Sequence, residues 1–135
     1  MNVGKYIYSV LSADAGVSAI VGTRIYPVII GEKVTFPAIE YSVVTRPKDT
    51  QKTQASDHDL EVVTFHFWAD IQQGQDGYTK VCNIDLAVRA ALDFVEGTAA
   101  GVTVEHCHFD ESKDIIAEDS MKIGKEVTYT FITKN

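Results

Sequence analysis

Leu60-Glu61-Val62-Val63-Thr64-Phe65-His66-Phe67-Trp68-Ala69 is the stretch that decides the fold. Val63, Phe65, Phe67 and Ala69 fall on one side of an extended chain and Val62, Thr64, His66 and Trp68 on the other, the two-residue alternation of a β-strand. Both sides are partly apolar. The second is therefore either under another element or a contact surface. Upstream, Phe36 to Thr45 alternates in the same way, with Ile39, Tyr41 and Val43 opposed to Ala38, Glu40, Ser42 and Val44, and Pro37 at its start. Downstream, Gln72-Gln73-Gly74 breaks the strand, and Val81, Ile84, Val88, Ala91 and Val95 recur at three- and four-residue steps. That spacing predicts a helix to about Val95 whose apolar stripe docks on a sheet, with Tyr78 and Leu92 on its flanks.

The rest of the chain fills in around this centre. Val3, Ile7, Val10 and Leu11 have helical spacing, and Asp14 can cap a second short helix through Val17, Ile20 and Val21 that Gly22 ends. Arg24 to Val28 reads as a strand closed by Pro27, Gly31-Glu32-Lys33 as a turn, and Gly97 to Gly101 as another turn. Val102 to Val104, Ser112 to Ala117 and Lys125 to Thr133 read as three further strands. The order α, α, β, β, β, α, β, β, β defines an α+β fold: a mainly antiparallel sheet packed on one face by one long helix, with short N-terminal helices. Between Arg46 and Asp59 nothing larger than Ala55 is apolar, so residues 46–59 read as a long polar loop of the kind that is commonly functional or disordered.

A chain of 135 residues, 45% apolar and 23% charged, has room for one domain, residues 1–135, and needs neither metal nor disulfide to fold. Its formal charge of −7 opposes nucleic-acid phosphates over the surface as a whole. The distribution is lopsided: residues 1–55 carry +2 and residues 56–135 carry −9. Such a chain can set the basic part of one copy against the acidic part of the next, the head-to-tail geometry that closes rings. Cys82 and Cys107 lie in apolar patterns and fit a reducing compartment. No signal-peptide pattern opens the chain and no apolar run reaches the ~20 residues of a membrane helix, so the expectation is synthesis and assembly in the cytoplasm, with no membrane partner.

Catalytic motifs are missing from the pattern. There is no Gly-x-Ser-x-Gly elbow, no phosphate-binding glycine loop and no cysteine with basic neighbours. His106-Cys107-His108 is the one metal-capable cluster, with both imidazoles on one side of a strand. It offers two ligands where zinc needs three or four, and Cys107 then faces the core. Residues 110–121 contain no glycine for a calcium loop. Neither a cofactor nor a metal is expected. Arg46, Lys48 and Lys52 on the polar loop, with His66 and Trp68 on the second side of the central strand, are the candidate interface residues.

Read together, several stretches resemble the small tail-completion proteins of long-tailed bacteriophages, also called tail terminators or head-to-tail joining proteins. They are residues 11–27, closing on Gly22-Thr23-Arg24-Ile25-Tyr26-Pro27; Phe36-Pro37-Ala38-Ile39-Glu40-Tyr41; Phe67-Trp68-Ala69; Val88-Arg89-Ala90-Ala91-Leu92-Asp93; and Gly97 to Val104. The resemblance spans nearly the whole chain. It implies a ring, of six copies, that stops growth of the tail tube, meets the tube protein on one face and the head connector on the other, and lets DNA pass without specific binding. It also implies a place in the virion at the tail-neck junction. Rival readings are a neck adaptor bound to the portal and, from another class, a small metal- or ligand-binding domain. The polar loop and His106-Cys107-His108 depart from the family pattern.

Overall fold

The structure is a computed structural model and describes residues 3–28, 35–48, 57–119 and 121–134. Three helices, α1 (Gly4–Ala13), α2 (Ala15–Val21) and α3 (Gln75–Leu92), pack on a six-stranded sheet. Its strands are β1 (Ile25–Pro27), β2 (Ala38–Pro47), β3 (His58–Asp70), β4 (Gly97–Ala99), β5 (Val102–Ala117) and β6 (Lys122–Lys134). In space they run β1-β2-β3-β6-β5-β4. Only β1 against β2 is parallel; the remaining neighbours are antiparallel, giving a mixed sheet in an α+β fold.

The central strand is where its alternation puts it. Val63, Phe65, Phe67 and Ala69 of β3 are fully buried beside Val127, Tyr129 and Phe131 of β6. Phe65 meets Tyr129 edge-on at 5.6 Å between ring centres, and Tyr41 and Phe67 crowd its other sides. Onto these rings α3 lowers Val81, Ile84, Val88 and Leu92, and α1 lowers Tyr6, Ile7 and Leu11. Asp14 ends α1 and opens α2, its carboxylate accepting from the Val17 amide at 2.9 Å. Gly22, at φ 59, stops α2 in a left-handed conformation that favours glycine.

One core carboxylate was invisible to apolar patterning. Glu61 is fully buried and accepts from the Val3 amide (2.9 Å), the Thr45 hydroxyl (2.8 Å) and the Thr133 hydroxyl (2.8 Å). It thereby ties the start of α1 to three neighbouring strands, since Thr45, Glu61 and Thr133 lie on β2, β3 and β6. Tyr41 adds a second tie, donating its hydroxyl to the Gly4 carbonyl at 3.0 Å; burial, with Tyr8 nearby, pushes that phenol up to about 12.

Four sequence expectations change. The polar segment is shorter than 46–59: Arg46 and Pro47 end β2, while His58 and Asp59 begin β3, with Pro47 opposite Asp59 and His58 opposite Lys134. Cross-strand pairing recruits these polar residues although they bury nothing large. Val102–Val104 and Ser112–Ala117 are two ends of one strand, β5. Its register slips between Val104 and His106 and again between Phe109 and Glu111, and each bulge resets the side-chain alternation that would have marked a continuous strand. Finally, α3 ends at Leu92, because Asp93 turns extended and its carboxylate accepts from the Phe109 amide at 3.0 Å; Gly97–Ala99, read as part of a turn, pairs with β5 as β4. The turn expected at 31–33 lies outside the described residues.

Candidate functional site

Burial alternates along β6: Val127, Tyr129 and Phe131 face the helices, whereas Thr128, Thr130 and Ile132 are half-buried on the other side. The same division runs along β3. The sheet therefore has a second broad face, and its side chains form a polar network across four strands. Register places Trp68 between Ala38 and Gly124, and His66 between Glu40 and Glu126. Glu40 accepts from the Trp68 indole at 2.9 Å through Oε1 and meets His66 Nδ1 with the same atom at 2.9 Å. On its other side His66 Nε2 lies 3.7 Å from Glu126, which Lys113 reaches at 3.8 Å.

His66 and Trp68 are thus neighbours on one face, as the alternation required. Trp68 is only 6% exposed, and its neighbours are Glu40, His66, Gly124 and the Lys122 ammonium 4.6 Å above the ring. The close approach of the indole to Gly124, which carries no side chain, contributes to its burial. Arg46 stands exposed at the end of β2 and Lys48 just beyond it, its amide bonded to the His58 carbonyl at 2.9 Å; Lys52 lies outside the described residues. The structure does not bring these bases to His66 and Trp68: the network ends at Glu40, near the opposite end of β2 from Arg46.

Sequence reasoning missed Glu40, Glu126 and Lys122. Strand parity assigned Glu40 the right face, but which carboxylate meets which histidine follows from the cross-strand register, which a single sequence does not carry.

His106 and His108 do share a face, with His106 Nε2 and His108 Nδ1 3.0 Å apart and His108 Nε2 3.0 Å from Asp110. His58 and Glu105 meet at 2.8 Å nearby. Among the described residues no group of three or more histidine, cysteine or acidic side chains is gathered as metal ligands. Cys107 is buried in the core between them, and burial pushes its thiol well up, so it stays a neutral core group. Burial likewise raises Asp85 and the Tyr129 phenol on the helix side, toward forms that suit a core. Among the described residues no helix is long and apolar enough to cross a membrane.

The sheet thus presents a broad, half-exposed polar face on one side and an aromatic core on the other. The family model described as tail completion protein gp17 matches residues 5–134, and the chain belongs to that family, one of virion structural proteins rather than enzymes. Among solved structures, a chain in the virion of a native gene transfer agent particle superposes with a TM-score of 0.75 at 18% identity, covering 96% of this chain and 92% of that one. At that identity the likeness establishes the fold. No curated protein matches.

Proposed function

We propose that the chain closes the finished phage tail tube as a ring of six copies and presents the surface on which the head connector docks. Membership of the tail-completion family carries this reading. The structure supports it with a sheet face rich in polar and aromatic groups, the composition of a surface that must stay wet alone yet bind a protein partner. On this reading the partners are further copies of the chain, the tube protein and the connector, at the tail-neck junction of the virion. The excess of acids keeps transiting DNA from adhering to the channel. Arg46, Lys48, Lys52 and His66 belong to the contact surfaces, and Trp68, buried beside His66, supports that face from beneath.

Deleting the gene should leave lysates with filled heads, no joined particles and tails of uncontrolled length, seen by negative-stain microscopy. Normal virions would refute the role; heads that lose their DNA beside tails of normal length would instead place the protein on the portal.

A further inference from the structure

The two ends of the sheet differ in a way that the ring reading leaves unused. At one end, β1 covers β2 only from Ile39 to Tyr41, so among the described residues no strand pairs with Val43 to Pro47 on that side. Beside this bare edge lies a cavity of about 750 Å³ lined by Lys5, Tyr8, Val28, Val43 and Ala100 among others. Its floor is mostly apolar, with Val28 74% exposed and Tyr8 46% exposed. Arg46 and Lys48 stand exposed further along the same side of the chain, at the end of β2 and just beyond it.

At the other end, β4 covers β5 only from Val102 to Val104, and the chain after α3 adds bonds at Cys107 and Phe109. From Asp110 to Ala117 the outer edge of β5 pairs with no described strand. This part of β5 and the start of β6 form a hairpin whose tip shows Ile116 and Met121, 55% and 51% exposed. Between Asp110 and Lys125 its acids are Asp110, Glu111, Asp114, Glu118 and Asp119, against Lys113, Lys122 and Lys125. Asp110 and Asp114 are engaged within the chain, by Thr130 and by Lys125 and Tyr78, whereas Glu111 and Glu118 are exposed.

We infer that the β5–β6 hairpin of one copy docks in the Tyr8–Val43 groove of the next, its bare edge extending the β2 ladder. Two open edges on opposite ends of one sheet are templates for each other. The apolar tip matches the apolar floor, and Glu111 and Glu118 match Lys5, Arg46 and Lys48. The contact is heterologous, so it propagates from copy to copy and closes when the rotation permits. This rests on the ring reading and names the surfaces that build it.

Charge reversal tests it. Lys5→Glu with Lys48→Glu, or Glu111→Lys with Glu118→Lys, should each turn the ring into monomers in sedimentation at physiological salt, with unchanged circular dichroism. Mixing the two variants should restore assemblies in which they alternate, because each hairpin then meets a groove of opposite charge on its neighbour. Independently, Tyr8→Cys with Ile116→Cys should give a ladder of disulfide-linked multimers that neither single variant gives. Rings that withstand both reversals and yield no ladder overturn the docking mode while the ring stands. A wild-type chain that stays monomeric even on isolated tail tubes overturns the ring reading itself.

Discussion

Replacing Gly124 by alanine is expected to destabilise the protein by ~3 kcal/mol, at the upper end of what overpacking costs. A Cβ at this position would collide with the Phe67 carbonyl oxygen and stand 2.8 Å from Trp68 Cε3. The first obstacle is backbone in the middle of the sheet, where β3 is held by β2 on one side and β6 on the other, so it cannot move aside. The second is the indole, which must tilt away and stretch its 2.9 Å bond to Glu40. Because Trp68 is the sole tryptophan, its fluorescence reports this directly. Urea titration should show a lower midpoint together with an altered native emission maximum. A midpoint and spectrum equal to those of the wild type would refute the seating of the indole on Gly124.

The second large effect is expected from Glu61→Ala. The variant removes the acceptor shared by the Val3 amide, the Thr45 hydroxyl and the Thr133 hydroxyl. The Val3 amide and the Thr133 hydroxyl are buried donors that each cost about 1–3 kcal/mol when deprived of an acceptor, while the exposed Thr45 hydroxyl can turn to water, so the sum is expected to be ~4 kcal/mol. Glu61→Gln should be far milder, because its remaining carbonyl oxygen still accepts from Val3 and the Thr133 hydroxyl can accept from the new amide. Hydrogen exchange should localise the alanine effect to α1, whose first turn Glu61 anchors. Equal stability of the alanine and glutamine variants would contradict the anchoring role of these hydrogen bonds, because glutamine keeps the acceptor that alanine removes. The consequence reaches assembly, since Lys5 and Tyr8 of α1 line the groove proposed to receive the next copy.

What could be read from the sequence was whatever repeats at a fixed step. The β3 alternation, the α3 stripe and the Asp14 cap each depend on residues close in the chain, and all three are in the structure. Three features hid because they depend on pairing. Arg46, Pro47, His58 and Asp59 are strand residues by virtue of their neighbours across the sheet, not of their own polarity. The bulges near Glu105 and Asp110 broke the β5 alternation into two apparent strands. Glu61 sat among apolar residues on the buried face, and nothing nearby in sequence announced that Val3, Thr45 and Thr133 would satisfy it. The candidate site was legible to the same extent: strand parity put His66 and Trp68 together, while Glu40 and Glu126 entered through register.

The shared requirement of ring, groove and hairpin is that copies meet head to tail at the end of a tube. Electron cryo-microscopy of the head-proximal tip of finished tails, with this chain identified in the density, tests that most directly. The account predicts one closed ring of six copies seated on the last tube layer, each hairpin in its neighbour's groove. A tip without this chain, or copies that touch the tube but not one another, would contradict it.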